Sequence, residues 1–441
     1  MKRLAVHSMG CRLNLLEGEL LSALAPEGYT QVDWREEADV YVLNTCTVTA
    51  RADMRARGHV RAAYRRNPSA RIVVTGCYAQ TSPDALAAMP EVWAVIGNHE
   101  KASIPTLLAA LDAGDPVERV QVSRIWQHRT LDVPLARDYP ARSRPFVKIQ
   151  DGCNEICAFC KIPRARGRNR SSPIARVVEQ VAMLAQSGFH EVVLTGVHMG
   201  CWGEDLDPPR ALPDLVQALL ALPAPLRIRL SSIEPQHFTP ALADLVASEP
   251  RVCPHLHLPL QSGDDGVLAR MRRRYDAATY AARVESVAAR VPDLCIGADV
   301  IAGFPGETDA AHRATLALVR RLPLAYLHVF PFSAREQTPA ATLPDQVPPD
   351  VKAARCRELG ELSEVKWRAY VQRFVGRTLP AVALEADPEH DHASTRFVTA
   401  HSAEVRVAGS GYARGRLHDV SVVEAAADEL RGLALTGPTS P

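Results

Sequence analysis

No apolar run in the 441-residue chain approaches the roughly 20 residues that a membrane-spanning helix needs. The opening residues, Met-Lys-Arg-Leu-Ala-Val-His-Ser, lead directly into a strand-like segment and carry no apolar signal core. The expectation is a cytoplasmic protein with no membrane partner. Net charge is nearly absent, at +1 from 51 basic and 50 acidic residues. That excludes a molecule-wide basic field, so any nucleic-acid binding must come from local patches. No tandem repeat or low-complexity tract is present, which excludes a repeat array. Hydrophobic content of 47% and charged content of 23% describe a globular protein. The length exceeds one ordinary core and predicts two or three domains. Disulfides are disfavoured in the cytoplasm, so the ten cysteines need another explanation, and a metal cluster supplies one.

Cys153, Cys157 and Cys160 have the spacing C-x3-C-x2-C, directly after the strand-like Val-Lys-Ile at 147–149. No fourth cysteine lies nearby. A closed zinc site uses four protein ligands, and a simple [4Fe–4S] carrier uses four cysteines. Three thiolates on a cubane leave one iron free to bind a small molecule. Three thiols packed as small hydrophobes, or a zinc site completed from afar, are the alternatives at this point. The spacing, with the aromatic Phe159 before the third cysteine, resembles the radical S-adenosylmethionine (SAM) superfamily.

The first third alternates strands and helices, with strands at Leu4 to Ser8, Ala38 to Leu43 and Arg71 to Thr75 and helices at Glu17 to Leu24 and Ala50 to Arg65. This pattern predicts a parallel sheet. Cys11, Cys46 and Cys77 each fall just after the carboxyl end of a strand, the edge where open α/β sheets bind ligands. Three thiols far apart in sequence can therefore converge as a second cluster site; unrelated cysteines at buried turns are the alternative. Residues 112 to 145 read as a linker. Six βα units follow, with strands at Phe146 to Ile149, Glu191 to Thr195, Arg227 to Leu230, His255 to Pro259, Cys295 to Ile301 and Tyr326 to Phe330. They suggest a partial (βα)6 barrel, an open relative of the eight-stranded one. A helix from Ala353 to Phe374 connects to short alternating runs punctuated by Gly409, Gly411 and Gly415, which suggest a small β-barrel. The fold class is thus α/β with a terminal β-barrel, and the expected domains are 1–125, 140–372 and 376–441.

Other residues fall at strand ends. Thr195-Gly196 closes the second barrel strand, where glycine permits close approach to a ligand; an ordinary βα turn explains it equally well. Glu234 is placed to accept from a ribose hydroxyl, or is a solvated loop carboxylate. Gln261 ends the fourth strand. The stretch Gly297 to Glu307, holding Asp299, resembles the G-x-I-x-G-x-x-E segment that helps bind the adenosine in radical SAM enzymes. Arginines cluster at 51, 55, 57, 61, 65 and 66, at 164, 166, 168 and 170, and at 270, 272, 273 and 274. Phosphate-backbone binding accounts for such patches, and solvated helix faces are the plain alternative. From Gly376 onward there are six arginines, no lysine and nine carboxylates, so the terminal segment is locally acidic. Cys201, Cys253, Cys295 and Cys356 belong to neither cysteine set and are expected not to be ligands.

The resemblance extends over almost the whole chain. Gly-Cys-Arg-Leu-Asn-x-x-Glu, Asn-Thr-Cys-Thr-Val-Thr, Thr-Gly-Cys-Tyr-Ala-Gln, Gln-Asp-Gly-Cys-Asn, Pro-His-Leu-His-Leu-Pro-Leu-Gln-Ser-Gly and Leu-His-Val-Phe-Pro-Phe-Ser are similar to motifs of the radical SAM methylthiotransferases. That family has an N-terminal cluster domain, a partial barrel and a TRAM β-barrel. Asn44 to Thr49 and Gln150 to Gly152 look most like its threonylcarbamoyladenosine tRNA branch. The resemblance implies two [4Fe–4S] clusters, one on Cys11, Cys46 and Cys77 and a catalytic one on Cys153, Cys157 and Cys160. It implies SAM held near Phe159, Thr195, Gly196, Glu234, Gln261 and Asp299. It further implies a tRNA anticodon loop met by Arg51, Arg55, Arg61, Arg166, Arg168 and Arg272, and an electron donor such as flavodoxin or ferredoxin. The product would be the 2-methylthio derivative of the modified adenosine at position 37, whose unactivated C2–H bond calls for a radical. An isopentenyladenosine-37 tRNA or a ribosomal protein as substrate, or a non-catalytic RNA-binding iron–sulfur protein, remain the other readings.

Overall fold

A computed structural model describes residues 1–137, 139, 142–384, 394–426 and 429–435. The described residues form two compact units. The first comprises Met1–Tyr139, Lys148–Ser172 and Ser333–Ala341; the second comprises the described residues of Pro140–Val147, Pro173–Phe332 and Thr342–Pro441.

The first unit is built on a parallel sheet of β1 (Lys2–Ser8), β2 (Tyr29–Gln31), β3 (Val40–Thr45), β4 (Arg71–Gly76), β5 (Ala94–Ile96) and β6 (Val120–Gln121), in the order β2-β1-β3-β4-β5-β6. Its central strands β3, β4 and β5 carry apolar runs because both faces are covered. Along β3, Tyr41 and Leu43 join Ala56, Val60 and Ala63 in one core, while Val40 and Val42 join Ile104, Leu107 and Leu108 in the other. Helix α1 (Arg12–Ala23) follows β1, α2 (Ala50–Arg66) follows β3, and the short α3 (Cys77–Thr81) follows β4. The Thr49 hydroxyl caps α2 by accepting from the Ala52 N–H, and Arg65 and Arg66 favour its carboxyl end. The expected linker is partly structured: Val120–Gln121 adds the sixth strand, pairing with Val95 and Ile96. A two-residue edge strand is too short for alternation to reveal it.

In the second unit, β7 (Phe146–Lys148), whose last residue belongs to the first unit, lies beside β10 (Glu191–Thr195) and β11 (Arg227–Leu230), in the order β11-β10-β7. Between β7 and β10 in sequence, β8 (Gln150–Asp151) and β9 (Arg170–Ser171) form an antiparallel pair in the first unit. β12 (His255–His257), β13 (Cys295–Ala302) and β14 (Tyr326–Pro331) form the other parallel half. Bridges Ile228–Val252 and Ser232–His257 join the halves, so the six strands read from sequence are the six observed. A 23-residue helix, Pro349–Val371, leads to a closed barrel of β15 (Thr378–Ala383), β16 (Ser394–Thr399), β17 (Glu404–Ala408), β18 (Leu417–Ala426) and β19 (Glu429–Ala434). Sequence reading missed β19 because Glu429-Leu-Arg-Gly-Leu-Ala has a glycine where alternation should continue. The barrel core is shared: Tyr370, Val371, Phe374 and Cys295 pack with Phe397, Val405, Val420 and Leu430.

Candidate active site

Cys11, Cys46 and Cys77 follow β1, β3 and β4, three adjacent strands of one sheet. The order reverses between β1 and β3, where such sheets open a crevice. Three side chains tie the turns together. Asn14 Nδ2 donates to the carbonyls of Met9 (2.8 Å) and Thr45 (2.9 Å). Asn44 Nδ2 donates to the Asn14 carbonyl at 2.7 Å. The Thr45 hydroxyl donates to the Thr75 carbonyl at 2.5 Å and accepts from the Tyr78 N–H at 3.2 Å. Gly10 has φ +92, and a Cβ there would stand 2.6 Å from Cys46 Sγ. Gly76 (φ +95) likewise leaves no room for a Cβ beside the Thr45 backbone.

Burial pushes the Cys46 thiol up to about 12, with the Val48 N–H opposing and Cys77 and Cys11 adding to the rise. Burial raises Cys77 too, against the nearby Arg166 guanidinium. Buried in this way, Cys46 and Cys77 are costly to ionise without a cation, and metal binding would draw off their protons. The donor set fits a cluster ligated by three cysteines.

Cys153, Cys157 and Cys160 occupy the loop between β8 and β9, within the first unit. Gly152 (φ +74) would place a Cβ 1.9 Å from the Arg168 carbonyl oxygen, so only glycine lets the two loop ends pass. The Cys153 N–H donates to the Gly167 carbonyl at 3.0 Å. Gln150 Nε2 donates to Gly152 O (2.7 Å) and Asn169 Oδ1 (2.6 Å). The N–H groups of Glu155 and Ile162 point at Cys153 Sγ and Cys160 Sγ, each at 3.4 Å. Amides aimed at sulfur favour the thiolate, so this set also fits a three-cysteine cluster. Ile156, between the first two cysteines, is 65% exposed.

The two sets share one unit because of a buried ion network. Arg166 is 1% exposed and donates to Glu17 (2.8 and 3.1 Å), Asp151 (3.1 and 3.2 Å) and Asn14 (2.6 Å). Lys148 pairs with Glu17 and Asp151, both at 2.7 Å, and Lys101 closes on Glu17. Burial would raise both carboxyls, but Arg166 with Lys148, and for Glu17 also Lys101, holds them well below the usual carboxylate range. Asn98 Nδ2 donates to Ala165 O at 2.7 Å and approaches Cys77 Sγ at 3.8 Å. Arg166 was expected among the tRNA-contacting arginines; its burial corrects that, because both terminal nitrogens of its guanidinium are engaged by Glu17, Asp151 and Asn14. The neighbouring Arg168 is exposed and lies over the Trp126 ring.

Arg51, Arg55 and Arg61 of α2 are exposed, whereas Arg57 donates to the Tyr78 hydroxyl and Arg66 to the Trp34 carbonyl. Ser333–Ala341 returns to this unit. There Arg335 donates to Thr47 Oγ1 at 2.8 Å and pairs with Asp53, and the Ala340 N–H donates to Ala158 O at 2.9 Å. Sequence reasoning did not single out Asn14, Glu17, Asn98 or Arg335. The first two stood within a quoted motif, but nothing local marks a polar residue whose partners lie far along the chain.

In the second unit, Thr195 is buried at the end of β10, with Gly196 next to it. Glu234 pairs with Arg273. Gln261 has φ +65; its N–H donates to Asp299 O at 2.8 Å, and its carbonyl accepts from the Ile301 N–H at 2.9 Å. Asp299 Oδ1 lies 3.2 Å from His257 Nε2 and 3.3 Å from His328 Nδ1. Burial would raise its carboxyl, but the two imidazoles hold it low. Arg272 is exposed at φ +60. In the barrel, Arg396 pairs with Glu404, Arg406 with Glu429 and Arg431 with Glu424. Among the described residues, no helix is long and apolar enough to cross a membrane.

Residues 3–97 match the family described as uncharacterized protein family UPF0004, and residues 147–319 match the radical SAM superfamily. A Bacillus subtilis protein named threonylcarbamoyladenosine tRNA methylthiotransferase is 38% identical over 397 residues, covering 88% of this chain and 86% of its own. A Corynebacterium efficiens tRNA-2-methylthio-N(6)-dimethylallyladenosine synthase is 33% identical over 403 residues, covering 89% and 76%. Among solved structures, a radical SAM methyltransferase from Kitasatospora setae superposes with a TM-score of 0.58 at 18% identity over 77% of this chain and 76% of that one, a likeness of fold.

Proposed function

The chain belongs to the threonylcarbamoyladenosine tRNA methylthiotransferases of the radical SAM superfamily, and on that footing we propose that it converts N6-threonylcarbamoyladenosine at position 37 of tRNA to its 2-methylthio derivative. The observation that carries this reading is the joining of both three-cysteine sets in one unit through Glu17, Asp151 and Arg166. When bound, SAM and the two clusters supply radical hydrogen abstraction and the transferred sulfur and methyl.

The protein's own contribution is positional. Asn14, Asn44 and Thr45 fix the turns that carry Cys11, Cys46 and Cys77. Gly152 and Gln150 shape the loop that carries Cys153, Cys157 and Cys160, and the N–H groups of Glu155 and Ile162 favour the thiolates. Phe159, Thr195, Gly196, Glu234, Gln261 and Asp299 are assigned to SAM. For Glu234 and Asp299 this means that a ligand hydroxyl or amine shares a carboxylate already engaged by Arg273 or by His257 and His328. Arg51, Arg55, Arg61, Arg168 and Arg272 are assigned to the phosphates of the anticodon loop, a single strand whose bases can be splayed into a site. The acidic barrel is not assigned to tRNA, because Arg396, Arg406 and Arg431 are engaged by carboxylates of the barrel itself. A small electron-transfer protein, flavodoxin or ferredoxin, supplies the reducing equivalents, and the site of action is the cytoplasm.

Mass spectrometry of tRNA nucleosides from a strain lacking the protein tests the assignment. The expected result is loss of the 2-methylthio form with accumulation of unmodified N6-threonylcarbamoyladenosine. Loss of the methylthio group from isopentenyladenosine instead would move the chain to the branch of the Corynebacterium relative. An unchanged nucleoside profile would overturn the tRNA reading.

A further inference from the structure

Outside both cysteine sets, three side chains with metal-ligating atoms converge on the carboxyl edge of the β7-β10-β11 half. His198 lies three residues beyond the end of β10, and Cys201 lies in the 3-10 turn that follows it, Met199–Cys201. His237 ends the 3-10 turn after β11, Pro235–His237. The ligand atoms, one from each residue, all lie within 4.8 Å of one another. His198 Nε2 is 3.2 Å from His237 Nδ1, Cys201 Sγ is 3.8 Å from His198 Nε2, and Cys201 Sγ is 3.5 Å from His237 Nε2.

We propose that His198, Cys201 and His237 form a zinc site, separate from the two cluster sites, with three protein ligands and an open fourth position. Zinc bonds of about 2.0–2.1 Å to nitrogen and about 2.3 Å to sulfur make the edges of a tetrahedron roughly 3.3 Å between nitrogens and roughly 3.6 Å from nitrogen to sulfur. The three measured separations straddle those edges. His237 presents different ring nitrogens to its two neighbours, Nδ1 to His198 and Nε2 to Cys201, so a single ion would take one of them after a small shift of the ring. One thiolate with two imidazoles is a donor set that suits this borderline cation.

The surroundings enclose the site. Cys201 and His198 are buried, which shields the site from competing water. The approach of the turn is close: a Cβ on Gly200 would stand 2.4 Å from His237 Cβ, so glycine at this position brings the Cys201 turn against the histidine. Binding releases the Cys201 proton and leaves the site with one net positive charge. The guanidinium of Arg273 is already matched by Glu234. Thr195 and Gly196 precede His198 on one loop, and Glu234 precedes His237 on the other, so the ion would sit on the loops that the SAM assignment uses.

The test uses the full chain with both clusters reconstituted anaerobically and then titrated with zinc against a chromophoric chelator. Metal analysis of the wild type is expected to give about one zinc beside the iron. X-ray absorption at the zinc edge is expected to give one sulfur and otherwise nitrogen or oxygen neighbours at those bond lengths. Cys201→Ser and His237→Gln should each weaken zinc binding by at least about tenfold while iron and sulfide stay at wild-type content. Equal zinc in wild type and variants, or a shell of three sulfurs, would place the ion on cluster thiols and overturn the proposal, as would no zinc retained. The absorption measurement needs no variant, so it decides the matter even if either substitution disturbs folding.

Discussion

Glu17, on the first helix of the chain, and Arg166, on the short helix after the third cluster cysteine, meet in two hydrogen bonds of 2.8 and 3.1 Å with both side chains almost wholly out of solvent. They are 149 residues apart, and their meeting ties the loop of one cysteine set to the turns of the other. An arginine so enclosed does not serve as a phosphate contact; it serves as a brace.

Breaking a buried ion pair by removing one partner typically costs about 3–5 kcal/mol, and here Lys148 and Lys101 would remain to offset part of that. Arg166→Met should therefore loosen Lys148–Ser172 from the first unit. Hydrogen exchange resolved by peptide should show faster exchange in that segment, with that of Pro173–Phe332 little changed. Uniform exchange identical to wild type would mean that the loop is held by something else.

The same network fixes a direction for pH. Glu17 and Asp151 titrate below their ordinary range in the folded chain, so their contribution is full above about pH 4, the unfolded carboxylate value. It is lost as the pH falls further toward the depressed values. Protection of the 148–172 segment should thus decline from about pH 4 downward in the wild type and decline less steeply in Arg166→Met.

Two separate cysteine sets predict about eight iron and eight sulfide per chain after anaerobic reconstitution, from [4Fe–4S] stoichiometry. Cys157→Ala and Cys46→Ala should each keep about four iron. Cys253→Ser, Cys295→Ser and Cys356→Ser should keep about eight, because none of the three belongs to either cysteine set. Elemental analysis decides each case; saturation of the wild type at about four iron would remove the auxiliary cluster.

Arg55 and Arg61 face solvent on α2, which begins four residues after Cys46. Arg55→Glu with Arg61→Glu should weaken tRNA binding and flatten its salt dependence, by roughly 0.7 in the logarithmic slope per lost phosphate contact on a single strand. Arg431→Glu on the barrel should change the slope little. A titration at several salt concentrations reads both. Cutting the chain at residue 376 is the wrong comparison, because Tyr370, Phe374 and Cys295 would lose the core they share with the barrel.

Strand positions were legible wherever apolar runs ended in Gly or Cys, since a buried parallel strand advertises itself along the chain. The cysteines were legible as well, by spacing in one set and by their repeated place after strands in the other. What stayed hidden was long-range polar pairing. Arg166 sits among four alternating arginines that read alike in sequence, yet Arg166 is enclosed by Glu17, Asp151 and Asn14 while Arg168 is exposed. Asn98 and Arg335 lie in stretches with no metal-ligand pattern, and only the fold brings them to Cys77 and Thr47. The second unit hid His198, Cys201 and His237 for the same reason: two βα loops must come together before three unremarkable residues become one donor set.

The backbone passes between the two compact units five times, at 139/140, 147/148, 172/173, 332/333 and 341/342. No single cut in the gene therefore yields two self-contained polypeptides. A fragment ending near residue 140 would keep Cys11, Cys46 and Cys77 but lose the guanidinium that Glu17 and Asn14 enclose. A fragment starting there would carry the other three cysteines on a segment stripped of its brace. Domain-swapped chimaeras between relatives should respect this: Lys148–Ser172 must travel with the parent that donates the N-terminal sheet, even though it lies inside the barrel sequence.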